Sequence, residues 1–177
     1  MKIAIQTMKM ARVAGIEAAD ATDYMTSAMR GFNMELNEAS ATRINDVYSE
    51  LAKVTAADTD EIAIAMSKTA SIASSANMEF EKTAAFLAQI IETTREAPET
   101  AGTAMKTVIA RFSEVKELYT SGQLTGTDDE GSIIDVNKIS KAMRTVGIDM
   151  NKFFRGELGL DEIFTELASK WDGLEEV

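Results

Sequence analysis

Apolar residues recur every three or four positions along most of this chain, the spacing of helices that bury one stripe and expose the rest. Residues 2–13 have helical composition, with Ile5, Met8 and then Arg12 or Val13 on one line before Gly15 interrupts. A second helix over 17–32 aligns Ala21, Met25, Ala28 and Phe32. A third, over 38–54, carries Ile44, Val47, Tyr48 and Leu51, and Asn37 stands where a cap belongs. Asp58 and Glu61 have the spacing of a capping box, opening a fourth helix over 60–76. Its face is Ile62, Met66, Thr69 and Ala73, and its many Ala and Ser residues permit close helix approach. The fifth, over 79–95, aligns Phe80, Ala84, Leu87 and Ile91, with Phe86 and Ile90 widening the stripe. Pro98, the only proline, suits the first turn of a sixth helix, where its missing N–H costs nothing. That helix reaches Tyr119, and its line of Met105, Val108, Phe112, Val115 and Tyr119 is the most regular of all. It is therefore the expected central buried helix.

The pattern then loosens. Residues 121–132 are rich in Gly and Asp and read as an exposed loop. Asp135 can cap a seventh helix over 136–146, with Ile139, Met143 and Val146 on one face. Beyond Gly147 the apolar spacing shortens, and a small β-hairpin or an irregular turn is expected at 148–158. A last helix over 161–172 places Leu160, Phe164, Leu167 and Trp171 in line. The expectation is an all-α bundle of seven to eight helices. It divides into a helical core over 1–120, an acidic Gly/Asp-rich loop over 121–135 and a C-terminal helix-turn-helix extension over 136–177. Nothing caps the first helix and no stop signal follows the last, so the chain is expected to belong to something longer.

Three stretches share one plan: Asn33-Met34-Glu35-Leu36, Asn77-Met78-Glu79-Phe80 and Gly147-Ile148-Asp149-Met150. Each follows the last turns of a helix. Asn and Gly tolerate the left-handed conformation that closes a helix, and the next apolar residue folds back onto the last turn. The intervals, 44 residues and then 70, keep no fixed period, so these are joints rather than units of a repeat.

Composition supports helix over sheet. Apolar residues are 45 % of 177, enough for a core, while aromatics are few and β-branched runs short. The net charge of −11 disfavours direct nucleic-acid binding, which needs basic groups to displace phosphate counterions. The chain has no cysteine and no histidine. Disulfides, thiolate nucleophiles and the usual Cys/His zinc sites are therefore excluded, along with the best general acid–base residue near neutral pH. The start of the chain is broken by Gln6, Lys9 and Arg12 and does not read as a signal peptide, and no apolar run approaches a bilayer span.

No catalytic, cofactor-binding or metal-ligating residue is assigned. With Gly131 as the sixth position of a calcium loop, Gly126 and Asn137 would fall at the first and twelfth, where carboxylates are required. Gly102-Thr103-Ala104-Met105-Lys106-Thr107 lacks the glycine before the lysine of a phosphate loop and follows no strand. The many Glu residues lie on no glycosidase motif and suit exposed helix faces. The eleven methionines lie mostly on apolar stripes and suit core packing.

Several stretches nevertheless resemble a known family. They are Tyr24-Met25-Thr26-Ser27-Ala28-Met29-Arg30-Gly31-Phe32-Asn33-Met34, the segment from Ile90 through Thr94-Arg95-Glu96-Ala97-Pro98-Glu99 to Lys106-Thr107, followed by Ile109-Ala110-Arg111-Phe112, and the region from Asn137 to Glu166-Leu167-Ala168-Ser169-Lys170-Trp171-Asp172. In order and spacing, from about residue 15 onward, the chain resembles the core region of phage tail tape measure proteins of the Gram-positive phage and prophage type. That resemblance implies a non-enzymatic structural role in tail assembly and tail-length determination. It also implies as partners the tail tube protein, tail assembly chaperones and baseplate or tail-tip proteins. The implied location is the virion tail interior, with the bacterial host cytoplasm during assembly. A segment of this size would be a folded domain within a ruler rather than the ruler itself. Two other readings compete: a helical adaptor binding partner helices in Met-rich grooves, and, more weakly, a peptidoglycan-cleaving enzyme.

Overall fold

The helical spacings, caps and stops yield the elements they predict over most of the chain. In the computed structural model, residues 2–127 and 131–170 are described. They form α1 (Lys2–Ala14), α2 (Ala18–Gly31), α3 (Glu38–Val54), α4 (Thr59–Ser75), α5 (Phe80–Thr94), α6 (Pro98–Thr120), β1 (Thr125–Thr127), β2 (Ile133–Asp135), α7 (Val136–Thr145), α8 (Met150–Phe154) and α9 (Leu160–Lys170). The protein is all-helical apart from one two-stranded antiparallel hairpin among the described residues. Chain contacts divide it into two units, Met1–Val108 and Ile109–Val177, with the boundary inside α6.

In the first unit α4 is the central helix. It packs against α1, α2, α3 and α5. It can do so because small or apolar residues occupy most of its circumference: Ile62, Ala63, Ala65, Met66, Thr69, Ala70 and Ala73 are all buried. Around it lie Met25 and Met29 of α2, Ile44 and Tyr48 of α3 and Leu87 of α5, each fully buried. Burying one such large side chain contributes about 1.5–3 kcal/mol. The expected stripes of α2, α4 and α5 are the buried ones, Phe32 being only half-buried.

The second unit is held by aromatic contacts. Phe112 meets Phe153 and Phe164 edge-on, with ring centroids 6.1 and 5.8 Å away. Tyr119 stacks on Phe154 at 4.3 Å. Such pairs add to the burial itself. In the hairpin Gly126 faces Ile134 across the ladder, with Thr125 opposite Asp135 and Thr127 opposite Ile133. A Cβ on Gly126 would meet the Leu118 side chain at 2.7 Å, so the hairpin lies close on the end of α6.

Three expectations need correction. The hairpin is not at 148–158 but at 125–135, inside the stretch read as loop, where Thr and Ile supply β-branched residues. Residues 150–154 form α8 instead: the Asp149 carboxylate accepts from the Asn151 N–H at 3.0 Å, and one helical turn lets Phe153 and Phe154 both bury. Neither is α6 the central helix. Its buried line is Ala101, Gly102, Met105, Ile109 and Val115, which leaves Val108 and Tyr119 about two-fifths exposed. The small pair Ala101 and Gly102 sets that rotation, because it allows close approach to α4. Finally, the line of Ile5, Met8 and Val13 on α1 faces outward, and the buried side is Gln6, Thr7 and Met10. Burial of Gln6 is tolerated because Asn45 Nδ2 donates to its backbone oxygen at 3.0 Å and to its side-chain oxygen at 3.2 Å. Trp171, expected on the last stripe, lies outside the described residues.

Candidate functional site

The residues that carry this fold's distinctive geometry are its helix joints and two close helix contacts. Asn33, Asn77 and Gly147 have φ of 52°, 57° and 75°, the left-handed conformation expected of them. At each joint the following N–H reaches back five residues: Met34 to Met29 O at 2.8 Å, Met78 to Ala73 O at 2.9 Å and Ile148 to Met143 O at 2.9 Å. This is the Schellman closure, which satisfies carbonyls that a helix end leaves bare.

The joints at Asn77 and Gly147 match most closely. In both, the next residue is buried (Met78, Ile148), an exposed acid stands at the N-cap position of the following helix (Glu79, Asp149), only Asp149 making a side-chain capping bond, and the first helical residue is buried (Phe80, Met150). At Asn33 the plan loosens. Leu36 is exposed, and the next helix waits for Asn37, whose side chain accepts from the Ser40 N–H at 2.9 Å. Five further described positions share the left-handed geometry: Gly15, Gly122, Gly131 and Gly156, and Arg95, which ends α5 with φ 56° without a glycine. Arg95 escaped the sequence reading because propensity alone gives no reason for a long side chain there.

Close contacts fix α4 on two sides. A Cβ on Gly31 would press into the Ala70 side chain and lie 2.9 Å from its carbonyl carbon. A Cβ on Gly102 would stand 2.5 Å from the Ala65 carbonyl oxygen. Thr69 Oγ1, fully buried, lies 3.0 Å from Ala65 O and 2.9 Å from Gly102 O, and so ties α4 to α6. At the other end, Lys170 Nζ donates to Gly147 O at 2.8 Å, tying α9 to the α7–α8 joint.

The electrostatics are those of a scaffold. Arg43 grips the Glu81 carboxylate with two nitrogens, one at 2.8 Å, and this bond holds the Glu81 carboxyl below its ordinary range. The Asn151 backbone N–H likewise lowers the Asp149 carboxyl. Burial pushes the Tyr48 phenol up, and its hydroxyl finds no hydrogen-bond partner among the described residues. Tyr24 is raised too, by burial first and then by Asp20, Glu99, Asp60 and Asp23. No group of three or more His, Cys, Asp or Glu residues could hold a metal ion among the described residues. No described helix is long and apolar enough to cross a membrane.

Helices joined by tight turns, with ordered contacts concentrated on packing, define an all-α structural module. A family model described as phage-related minor tail protein matches residues 1–177, and the chain belongs to that family. It is similar to a tape measure protein of Pneumococcus phage Dp-1, 28% identical over 142 residues, covering 78% of this chain and 12% of that protein. The chain thus spans a small part of the curated relative it matches. No solved structure matches. The role is structural and belongs to the phage tail.

Proposed function

We propose that this chain is a folded, non-enzymatic domain of a tape measure protein, acting in tail assembly and tail-length determination as part of a much longer polypeptide. The observation that carries this reading is the similarity to a named tape measure protein across most of the chain but only 12% of the relative. The motifs Thr94-Arg95-Glu96-Ala97-Pro98-Glu99 and Gly102 occupy structural positions here, a left-handed helix end, a helix start and a close contact, as befits a module whose work is its shape. Its partners in this reading are the tail tube protein, tail assembly chaperones and baseplate proteins. It resides in the virion tail interior after assembly in the host cytoplasm. The division into a core over 1–120, an acidic loop over 121–135 and an extension over 136–177 is part of the same proposal.

The test is an in-frame deletion of this segment from the parent phage gene, with tail length measured by electron microscopy. If the segment lay fully extended as helix in the ruler, tails would shorten by about 270 Å, at about 1.5 Å per residue. A compact domain predicts a much smaller change, accompanied by defective assembly. Intact tails of normal length and full infectivity would refute the proposal.

A further inference from the structure

We propose that the polar cleft between α1 and α3 binds an extended, uncharged segment of a partner polypeptide through its main chain. The cleft encloses about 190 Å³ within the first unit; Gln6 and Met10 come from α1, Thr42, Asn45 and Ser49 from α3, and Thr59 from the start of α4. A second cavity of about 490 Å³ shares Val13, Ser49 and Thr59 with it and continues past Gly15 to Asp60, so the two form one groove. Along that groove α1 rises about 12 Å from Gln6 to Ala14, at about 1.5 Å per residue. That is the reach of about four residues of extended chain at about 3.3 Å each.

The hydrogen bonding of the lining points to a ligand. Helical Ser and Thr hydroxyls elsewhere in this chain commonly donate to a carbonyl of their own helix, as those of Thr22, Thr26, Ser75, Thr103 and Ser113 do. The hydroxyls of Thr42, Ser49 and Thr59 make no hydrogen bond among the described residues, although Thr42 and Ser49 lie inside α3, where the same bond was open to them. Asn45 Nδ2 donates to Gln6 Oε1, which leaves Gln6 Nε2 as a donor and Asn45 Oδ1 as an acceptor, adjacent and unpaired among the described residues. Gln6 and Thr59 are each only 6 % exposed. Yet among the described residues only Tyr48 Oη is both wholly enclosed and unpaired, so these lining groups reach solvent. Buried polar groups left open in this way are satisfied by water or by a ligand that displaces it.

The chemistry of the lining selects the ligand class. Its two charged residues, Lys9 and Asp46, are exposed and of opposite sign, so no ion is favoured. Only Met10 and Val13 are apolar, too little for an apolar ligand. None of its lining residues is aromatic, so the C–H face of a sugar ring has nothing flat to stack on. The adjacent donor of Gln6 and acceptor of Asn45 instead match the C=O and N–H that one residue of an extended chain turns to the same side. The three hydroxyls, each able to donate or accept, take the neighbouring main-chain groups.

The test is an NMR titration of the nitrogen-15-labelled full chain with a blocked glycine–serine tetrapeptide, which carries main chain and hydroxyls but no charge. The side-chain NH2 resonances of Gln6 and Asn45 are the readout. With about 20 mM peptide at the end point, both are expected to shift and saturate with a Kd of about 1–5 mM, the affinity of a few hydrogen bonds. T42V/S49A keeps the shape of the cleft and removes two hydroxyls, and is expected to weaken binding about tenfold. Should circular dichroism show that this variant does not fold, Ser49→Ala alone decides, with an expected loss of about threefold. Maltotetraose, equally uncharged and rich in hydroxyls, is expected to leave both resonances in place. Resonances that do not move with peptide, shifts that persist undiminished in the variants, or equal shifts with maltotetraose would each overturn the proposal. None of these outcomes bears on the tail-length deletion, so the two readings fail separately.

Discussion

Tyr48 offers the sharpest energetic test of the packing. Its ring is fully buried beside Phe80, with centroids 5.8 Å apart, and its hydroxyl has no partner among the described residues. Leaving a buried hydroxyl unpaired costs about 1–3 kcal/mol, whereas the ring contacts survive its removal. Tyr48→Phe removes one oxygen and leaves only a small void, so the net expectation is stabilisation by about 1 kcal/mol. For a chain of this size that raises Tm by about 2–4 °C. The phenol also makes a pH signature. Burial raises its pKa in the folded state, so the stability tied to its neutral form is complete below the unfolded-state value of about 10 and is lost as pH rises through the higher folded value. Above about pH 10 the unfolded chain ionises first, and wild-type stability falls by about 1.4 kcal/mol per pH unit for this group. Tyr48→Phe removes that loss, so its advantage over wild type grows between about pH 10 and 11. Urea denaturation followed by circular dichroism at neutral and alkaline pH measures both effects. A variant less stable than wild type at neutral pH, or an advantage that does not grow with pH, would refute the reasoning.

Other substitutions probe the joints and contacts. Gly102→Ala drives a Cβ against the Ala65 carbonyl and should destabilise by about 2–3 kcal/mol in chemical denaturation, while Thr103→Ala at an exposed neighbouring position should cost less than about 0.5 kcal/mol. Asn77→Val places a β-branched residue at φ 57° and should cost about 1–2 kcal/mol, and Arg95→Gly should gain up to about 1 kcal/mol by relieving the same conformation. Comparing thermal midpoints of the two variants checks both signs. Arg43→Ala removes the clamp that lowers the Glu81 carboxyl. The stability it provides is present above the ordinary carboxylate range and is lost as pH falls through the depressed folded value. Because both side chains are about half exposed, the loss at pH 7 should be less than about 1 kcal/mol, vanishing once the pH falls below the depressed folded value.

The sequence by itself determined that the chain is helical, where most helices begin and end, and that the joints at Asn33, Asn77 and Gly147 are left-handed, though not the one at Arg95. The reason is local: caps, stops and the αL tolerance of Asn and Gly act within a few residues. The faces of α2, α4 and α5 were legible too, because each of these helices has one unambiguous apolar side. Tertiary structure decided what periodicity leaves degenerate. On α1, both the Ile5–Met8–Val13 line and the Met10 side could have been buried, and Asn45 chose by satisfying Gln6. On α6, the more regular apolar line lost to Ala101 and Gly102, because close approach to α4 outweighs the regularity of larger side chains. The hairpin formed where a loop was expected, and α8 formed where the hairpin was expected, for a similar reason. The strands at 125–127 and 133–135 are too short to announce themselves, and the aromatic residues at 153 and 154 bury better on one turn of helix. The candidate joints were written in the sequence, but the contacts that make them a scaffold, Gly31 on Ala70 and Thr69 on Gly102, exist only once distant helices meet.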